Sequence, residues 1–123
     1  MDPAAGPWGV SSGAPRVSHA WRLGNVEERA REFPDTFHIP NAARRHSLKV
    51  GDHAKLCFEI ADGTPSVGRG ERMWVKVTRL DSPAYYGVVV NRSVIKVFPA
   101  AGALVQFGPE HVADIEPGRE VAP

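Results

Sequence analysis

A strand–turn–strand pattern constrains the fold of this chain more than any other feature of the sequence. It covers residues 70–91 and reads GERMWVKVTRLDSPAYYGVVVN. Apolar and polar residues alternate in its first half, which is the two-residue period of a strand with one buried face. The predicted buried face consists of Met73, Val75 and Val77. Turn-forming Asp81, Ser82 and Pro83 follow, and so short a connection predicts an antiparallel partner strand.

Further short strands, separated by glycine- and proline-rich segments, are predicted on either side of this hairpin. HAKLCFEI alternates in the same way, so Leu56, Phe58 and Ile60 should be buried. SVIKVF, GALVQF and HVADIE are three other candidate strands, and ADGTPSVGRGE is a predicted loop. Five or six short strands with tight turns are typical of a small barrel. We expect an SH3-like antiparallel barrel.

One or two short helices are predicted to precede the barrel. NVEERAREF has Asn25 as N-cap, Glu28 at the capping-box position and a terminating Pro34, and NAARRHSL begins in the same way with Asn41. The apolar stripe predicted for the first helix is Val26, Ala30 and Phe33. We expect the helices to cover one opening or edge of the barrel. The predicted fold class is therefore α+β, mainly β.

The length and composition of the chain fit one globular domain. The chain has 123 residues, of which 42% are hydrophobic and 24% charged. Residues 1–20 are rich in Gly, Pro, Ala and Ser, so we predict a disordered arm in which Trp8 is exposed. The predicted globular domain is 21–117, followed by a flexible tail over 118–123. Cys57 is the only cysteine, and no signal or membrane-spanning run is evident, so we expect a cytoplasmic protein without membrane contact.

The motifs of enzymes and cofactor-binding proteins are not evident in the sequence, and we predict no cofactor, no metal and no catalytic residue. The five histidines form no close ligand pair, and Cys57 lies in the middle of a predicted strand. PSVGRGER lacks the spacing of a phosphate-binding loop. Glu59 and Glu71 would approach each other only if their strands pair in a suitable register. An enzyme would need convergence of His53, Glu110 and His111.

The best candidate for a binding site is an aromatic and basic outward face of the predicted barrel. Trp74 and Lys76 share this face, with Lys55 on the adjacent strand and Tyr85 or Tyr86 across the hairpin. Two alternatives exist for Trp74, which is either an exposed contact platform or a core residue beneath a helix, and we favour the core. The complete candidate set for partner or ligand binding is Lys55, Glu71, Trp74, Lys76, Tyr85, Asn91 and Arg92.

Residues 36–116 resemble the bacterial domain-of-unknown-function family 2314. The matching segments are TFHIP, LKVGDHAKLCFEI, GERMWVKVT, YYGVVVN and GALVQFGPEHVADI. Members often have a proline shortly after the asparagine that ends the strand, where this chain has Arg92 and Ser93 after Asn91, and Ile115 and Glu116 replace an aromatic ending. The resemblance implies a bacterial origin and a compact α+β domain. It implies no known substrate, cofactor or catalytic residue.

Two functional hypotheses follow from these observations. The first is a non-enzymatic protein–protein interaction module, for example an immunity-like or regulatory protein, with an unknown protein partner. The alternative is a nucleic-acid or small-ligand binder that uses the face around Trp74. The sequence favours the first hypothesis, because 15 basic and 14 acidic residues give a net charge of only +1.

Overall fold

The structure, a computed structural model, describes residues 21–61, 70–93 and 97–118. The predicted arm over 1–20 with Trp8 lies outside the described residues. So do most of the ADGTPSVGRGE loop, three residues of SVIKVF and the tail after residue 118.

The described residues form a mainly β fold with short helices. In chain order the elements are β1 (Trp21–Leu23), α1 (Val26–Glu32), α2 (Ala42–Arg45), β2 (His53–Ile60), β3 (Gly70–Asp81), β4 (Ala84–Val89), β5 (Leu104–Phe107), a 3₁₀ helix (Pro109–His111) and β6 (Asp114–Glu116).

The strands form one antiparallel sheet that curls into a half-barrel. Its order is β1-β2-β3-β4-β5, and β6 also pairs with β2. The last three residues of β2 pair with β1, whereas its first three residues pair with β6. The predicted α+β, mainly β class and the small barrel are confirmed, while the more specific SH3-like form stays a prediction.

The alternation in the sequence correctly identifies the inward face of the central strands. Leu56 and Phe58 of β2 are fully buried. The inward residues of β3 are fully buried as well, and these are Met73, Val75 and Val77. On β4 the inward position opposite Val77 is Gly87, where a Cβ atom would lie 2.5 Å from the Lys76 carbonyl oxygen. A side chain is therefore excluded at this position of β4.

Two predicted strands differ from what the structure contains. Val97 and Phe98, the described end of SVIKVF, lie in a turn, and Phe98 enters the core with its ring 6.0 Å from that of Phe58. In HVADIE only Asp114–Glu116 is a strand, because the first residue of the segment, His111, ends a 3₁₀ helix that begins at Pro109. The strand β1 was not predicted, since three residues are too few to show a period.

The predicted N-caps are confirmed, but the apolar stripe of α1 is only partly correct. Asn25 Oδ1 accepts from the Glu28 N–H at 3.0 Å, and Asn41 Oδ1 accepts from the Arg44 N–H at 2.9 Å. Val26 is buried, whereas Phe33 lies beyond the end of α1 and is 50% exposed. The helices also follow β1 instead of preceding all strands, and both contact the 3₁₀ helix.

Arg45, at the end of α2, connects the helices to the sheet. Its side chain is buried, and its guanidinium donates to the Glu27 carboxylate of α1, to the Pro109 carbonyl at 3.1 Å and to the Pro40 carbonyl at 2.7 Å. The Tyr85 hydroxyl of β4 donates to the Arg45 carbonyl at 2.8 Å. One residue therefore joins α1, α2, the 3₁₀ helix and β4.

Replacing Arg45 by alanine should strongly destabilise the fold. The substitution removes the partner of Glu27 and the donor to two carbonyl groups, so we expect a loss of about 3 kcal/mol in unfolding free energy. Urea denaturation followed by circular dichroism measures this loss. The adjacent Arg44 is exposed, and Arg44→Ala is a matched control that should cost less than about 0.5 kcal/mol. Similar losses for the two variants would contradict the role of Arg45.

Candidate functional site

The outward side of strands β2 to β5 carries an aromatic, aliphatic and cationic surface that we call the Trp74 face. Its residues are Lys55, Trp74, Lys76, Arg79, Tyr86, Val88, Val90 and Leu104. Directly opposed residues of antiparallel strands share a face. The strand register therefore assembles this surface from four strands.

The register brings the members of the Trp74 face together in rows across the sheet. Lys55 of β2 lies opposite Trp74 of β3. Lys76 lies opposite Val88 of β4, which in turn lies opposite Leu104 of β5. The predicted position of Lys55 beside Trp74 is thus confirmed.

Trp74 is half-buried and is not part of the core. The Lys55 ammonium nitrogen lies 5.0 Å from the centroid of the indole ring, within the range of a cation–π contact. The Trp74 backbone N–H donates to Asn91 Oδ1, and its carbonyl accepts from the Val90 N–H at 2.9 Å. The expectation that Trp74 is a core residue is therefore wrong, because the even positions of β3 point outward.

A β-bulge places a second cation beside an aromatic ring on this surface. The pairing of β3 with β4 shifts register between Val77 and Arg79, so Arg79 lies opposite Tyr86. The Arg79 guanidinium carbon is 4.6 Å from the centroid of the tyrosine ring, and Arg79 also forms an ion pair with Asp81 at 3.4 Å. The cations of the Trp74 face are Lys55, Lys76 and Arg79, and two acidic residues border it, because Asp81 pairs with Arg79 and Asp114 of β6 lies opposite Lys55.

The other predicted site residues lie in different surroundings. Tyr85 is buried in the core, so its predicted place on the outward face is wrong, and Tyr86 is the tyrosine that points outward. Glu71 lies on the inward side of β3, where its carboxylate accepts from the Ser93 hydroxyl at 2.7 Å. Asn91 holds the β3 backbone, and Arg92 is exposed just beyond it.

The carboxylates of Glu59 and Glu71 do not form a pair. Their strands are adjacent, but Glu59 lies opposite Gly70 and Glu71 lies opposite Phe58. This offset of one residue places the two side chains on opposite faces of the sheet. Glu59 forms ion pairs with Arg22 at 3.2 Å and Arg29 at 3.8 Å.

Cys57 lies on the outward side of β2 and is half-buried. Burial raises the pKa of its thiol, and the nearby Arg72 and Arg29 guanidinium groups offset only part of that effect. A raised pKa disfavours the thiolate that nucleophilic catalysis requires.

The histidines and acids of a hypothetical catalytic site occupy different elements. His53 lies on β2 opposite Glu116, whereas Glu110 and His111 belong to the 3₁₀ helix. In the described residues neither a hydrogen bond nor an ion pair joins His53 to that helix. No group of three or more His, Cys, Asp or Glu side chains within 21–61, 70–93 and 97–118 could hold a metal ion.

His111 is held in a neutral form by its surroundings. Its Nδ1 accepts from the Gly108 N–H at 3.0 Å, and its Nε2 lies 3.7 Å from a Glu110 carboxylate oxygen. Burial lowers the pKa of His111, and the carboxylates of Glu110 and Glu27 only partly offset this effect. Protonation of Nδ1 would remove the acceptor of the Gly108 N–H.

The protein should lose stability in mild acid because of His111. Its pKa is lower in the folded than in the unfolded state, so the stabilisation is complete above the unfolded pKa of about 6.5 and declines as the pH falls below it. We expect a slope of up to about 1.4 kcal/mol per pH unit in this range.

Comparing urea denaturation of the wild type with that of His111→Asn across pH 5–7 tests this prediction, since Asn keeps an acceptor but does not titrate. The variant should show a smaller decline in unfolding free energy. Parallel curves would contradict the assignment.

No described helix is long and apolar enough to cross a membrane. Comparison of the chain with protein-family models, with curated proteins and with solved structures found no match. The resemblance to the bacterial domain-of-unknown-function family 2314 therefore stays a prediction.

Proposed function

We propose that the protein is a non-enzymatic interaction module that binds a protein partner through the Trp74 face. The observation that carries this proposal is the composition of the face, which combines aromatic, aliphatic and cationic side chains. Tryptophan, tyrosine and arginine are the residue types most enriched in protein interfaces and in their energetic centres.

Exposed aliphatic side chains give the Trp74 face an apolar component beside its aromatic rings. Val90 is 45% exposed and Leu104 is 44% exposed, and the half-buried Val88 lies opposite Leu104 and two residues before Val90. An apolar area next to half-buried aromatic rings, with cations around them, is the arrangement of an interface core and its polar rim.

The charge of the Trp74 face indicates the chemistry of its partner. Lys55, Lys76 and Arg79 would favour an acidic surface, since opposite potentials across an interface accelerate association and exclude like-charged partners. We therefore infer a partner that presents apolar side chains within an acidic patch. A regulatory or immunity-like role in the bacterial cytoplasm is one specific form of this function.

A second candidate function is the binding of single-stranded nucleic acid by the same face. The observation that favours it is the pairing of each aromatic ring with a cation, Trp74 with Lys55 and Tyr86 with Arg79. Aromatic side chains on a sheet can stack with bases while nearby cations contact phosphates. The small net charge of the chain favours the protein partner instead.

Loss of the Trp74 ring should strongly weaken partner binding without unfolding the protein. Truncation of a central tryptophan commonly costs 2 kcal/mol or more, so we expect Trp74→Ala to weaken binding by about thirtyfold or more. Lys76→Glu should weaken it as well by reversing a charge. Quantitative affinity capture from a cell lysate, followed by calorimetry with the purified partner, measures both effects.

Val50→Ala serves as the matched control for this experiment. Val50 is 60% exposed and lies outside the Trp74 face, so its truncation should leave the captured partner unchanged. Enrichment of the same partners by the Trp74 variant, or of no partner by the wild type, would refute the proposal. Binding of a single-stranded oligonucleotide at low salt, lost in Trp74→Ala, would support the second candidate.

A further inference from the structure

A cleft of about 390 Å³ lies between residues 36–40 and the outward side of β2 and β3. Its polar walls include Arg44, Lys55, Arg72 and Asp114, and Phe37 contributes an aromatic wall. Cavities of this volume are of the size that holds small organic ligands.

Three cations from three different elements border this cleft. Arg44 belongs to α2, Lys55 to β2 and Arg72 to β3. In the part of the chain that the structure describes, none of these three side chains forms an ion pair with a carboxylate. Their positive charge can therefore act on a ligand, although the Lys55 ammonium also lies over the Trp74 ring and Arg72 lies beside the Cys57 thiol.

The nearby acidic groups neutralise little of this charge. Asp114 is the one acidic residue in the described lining, and its Oδ1 accepts from the N–H of Ile115 at 2.8 Å. Glu59, further along β2, forms ion pairs with Arg22 and Arg29. The cleft thus has a positive excess, which favours an anion.

We propose that this cleft binds a small organic phosphate monoester. A phosphate group carries close to two negative charges and three acceptor oxygens. It can therefore contact cations from three different elements at once, which a monocarboxylate with one charge and two oxygens does less well. The phosphate would lie among Arg44, Lys55 and Arg72, and the organic group would contact the apolar wall that Phe37, Ile39 and Pro40 provide.

This site differs from the proposed protein-binding surface in its ligand and in most of its residues. The two sites share Lys55, but Arg44 and Arg72 belong to the cleft alone. Variants of Arg44 therefore test the cleft without changing the Trp74 face. Conversely, Trp74→Ala tests the interaction surface, so failure of one proposal is distinguishable from failure of the other.

Isothermal titration calorimetry with phenyl phosphate as the probe tests this proposal. We expect saturable binding that weakens with added salt. Phenol and inorganic phosphate should both bind more weakly, because phenol lacks the phosphate group and inorganic phosphate lacks the apolar ring. Arg44→Ala and Arg72→Ala should each reduce the affinity about tenfold or more, because each removes charge-assisted hydrogen bonds.

Two further variants make the outcome decisive. Asp114→Asn should strengthen phenyl phosphate binding, since it removes a repelling charge and keeps an acceptor for the Ile115 N–H. Arg31→Ala, which removes an exposed arginine from the last turn of α1, should leave the affinity unchanged. Absence of saturable binding, equal binding of inorganic phosphate, or equal losses in the Arg31 and Arg44 variants would overturn the proposal.

Discussion

The buried guanidinium of Arg45 is the interaction on which the arrangement of the helices depends. A buried arginine is tolerated only when its charge is paired and its donors are satisfied. Here the partners are the Glu27 carboxylate and the carbonyl groups of Pro40 and Pro109, which belong to three separate segments. Because all three must be in place together, the two helices and the 3₁₀ helix form one polar cluster. The outward side chains of β3 and β4 remain accessible, and they provide the Trp74 face.

The sequence correctly predicted features that depend on neighbouring residues. The two-residue period identified the buried face of β2 and β3, and the side chains of Asn25 and Asn41 identified the starts of both helices. Features that depend on distant contacts could not be predicted. Phe98 joins the core from a turn, and the bulge after Val77 places Arg79 opposite Tyr86. Neither effect has a local sequence signal.

For the candidate sites too, the sequence indicates which face of a strand a residue occupies, but not which side chains from distant segments meet. Strand alternation places both Lys55 and Trp74 on the outward face, and the register of β2 with β3 then sets them opposite each other. Arg44 and Arg45, by contrast, are identical and adjacent in sequence. One is buried because it reaches the carbonyl of Pro109, which lies 64 residues further along the chain, and the other borders a cleft. Only the tertiary structure distinguishes these roles.

Hydrogen exchange of an Arg45→Met variant is the most direct test of this description of the fold. Methionine keeps an apolar stem but cannot donate to Glu27 or to the carbonyl groups, so the polar cluster should open locally. We predict faster exchange of the amides in α1, α2 and the 3₁₀ helix, while the amides of β2, β3 and β4 keep their protection relative to one another. Uniform acceleration across helices and strands, or no change in the helices, would contradict the claim that Arg45 holds the helices in place.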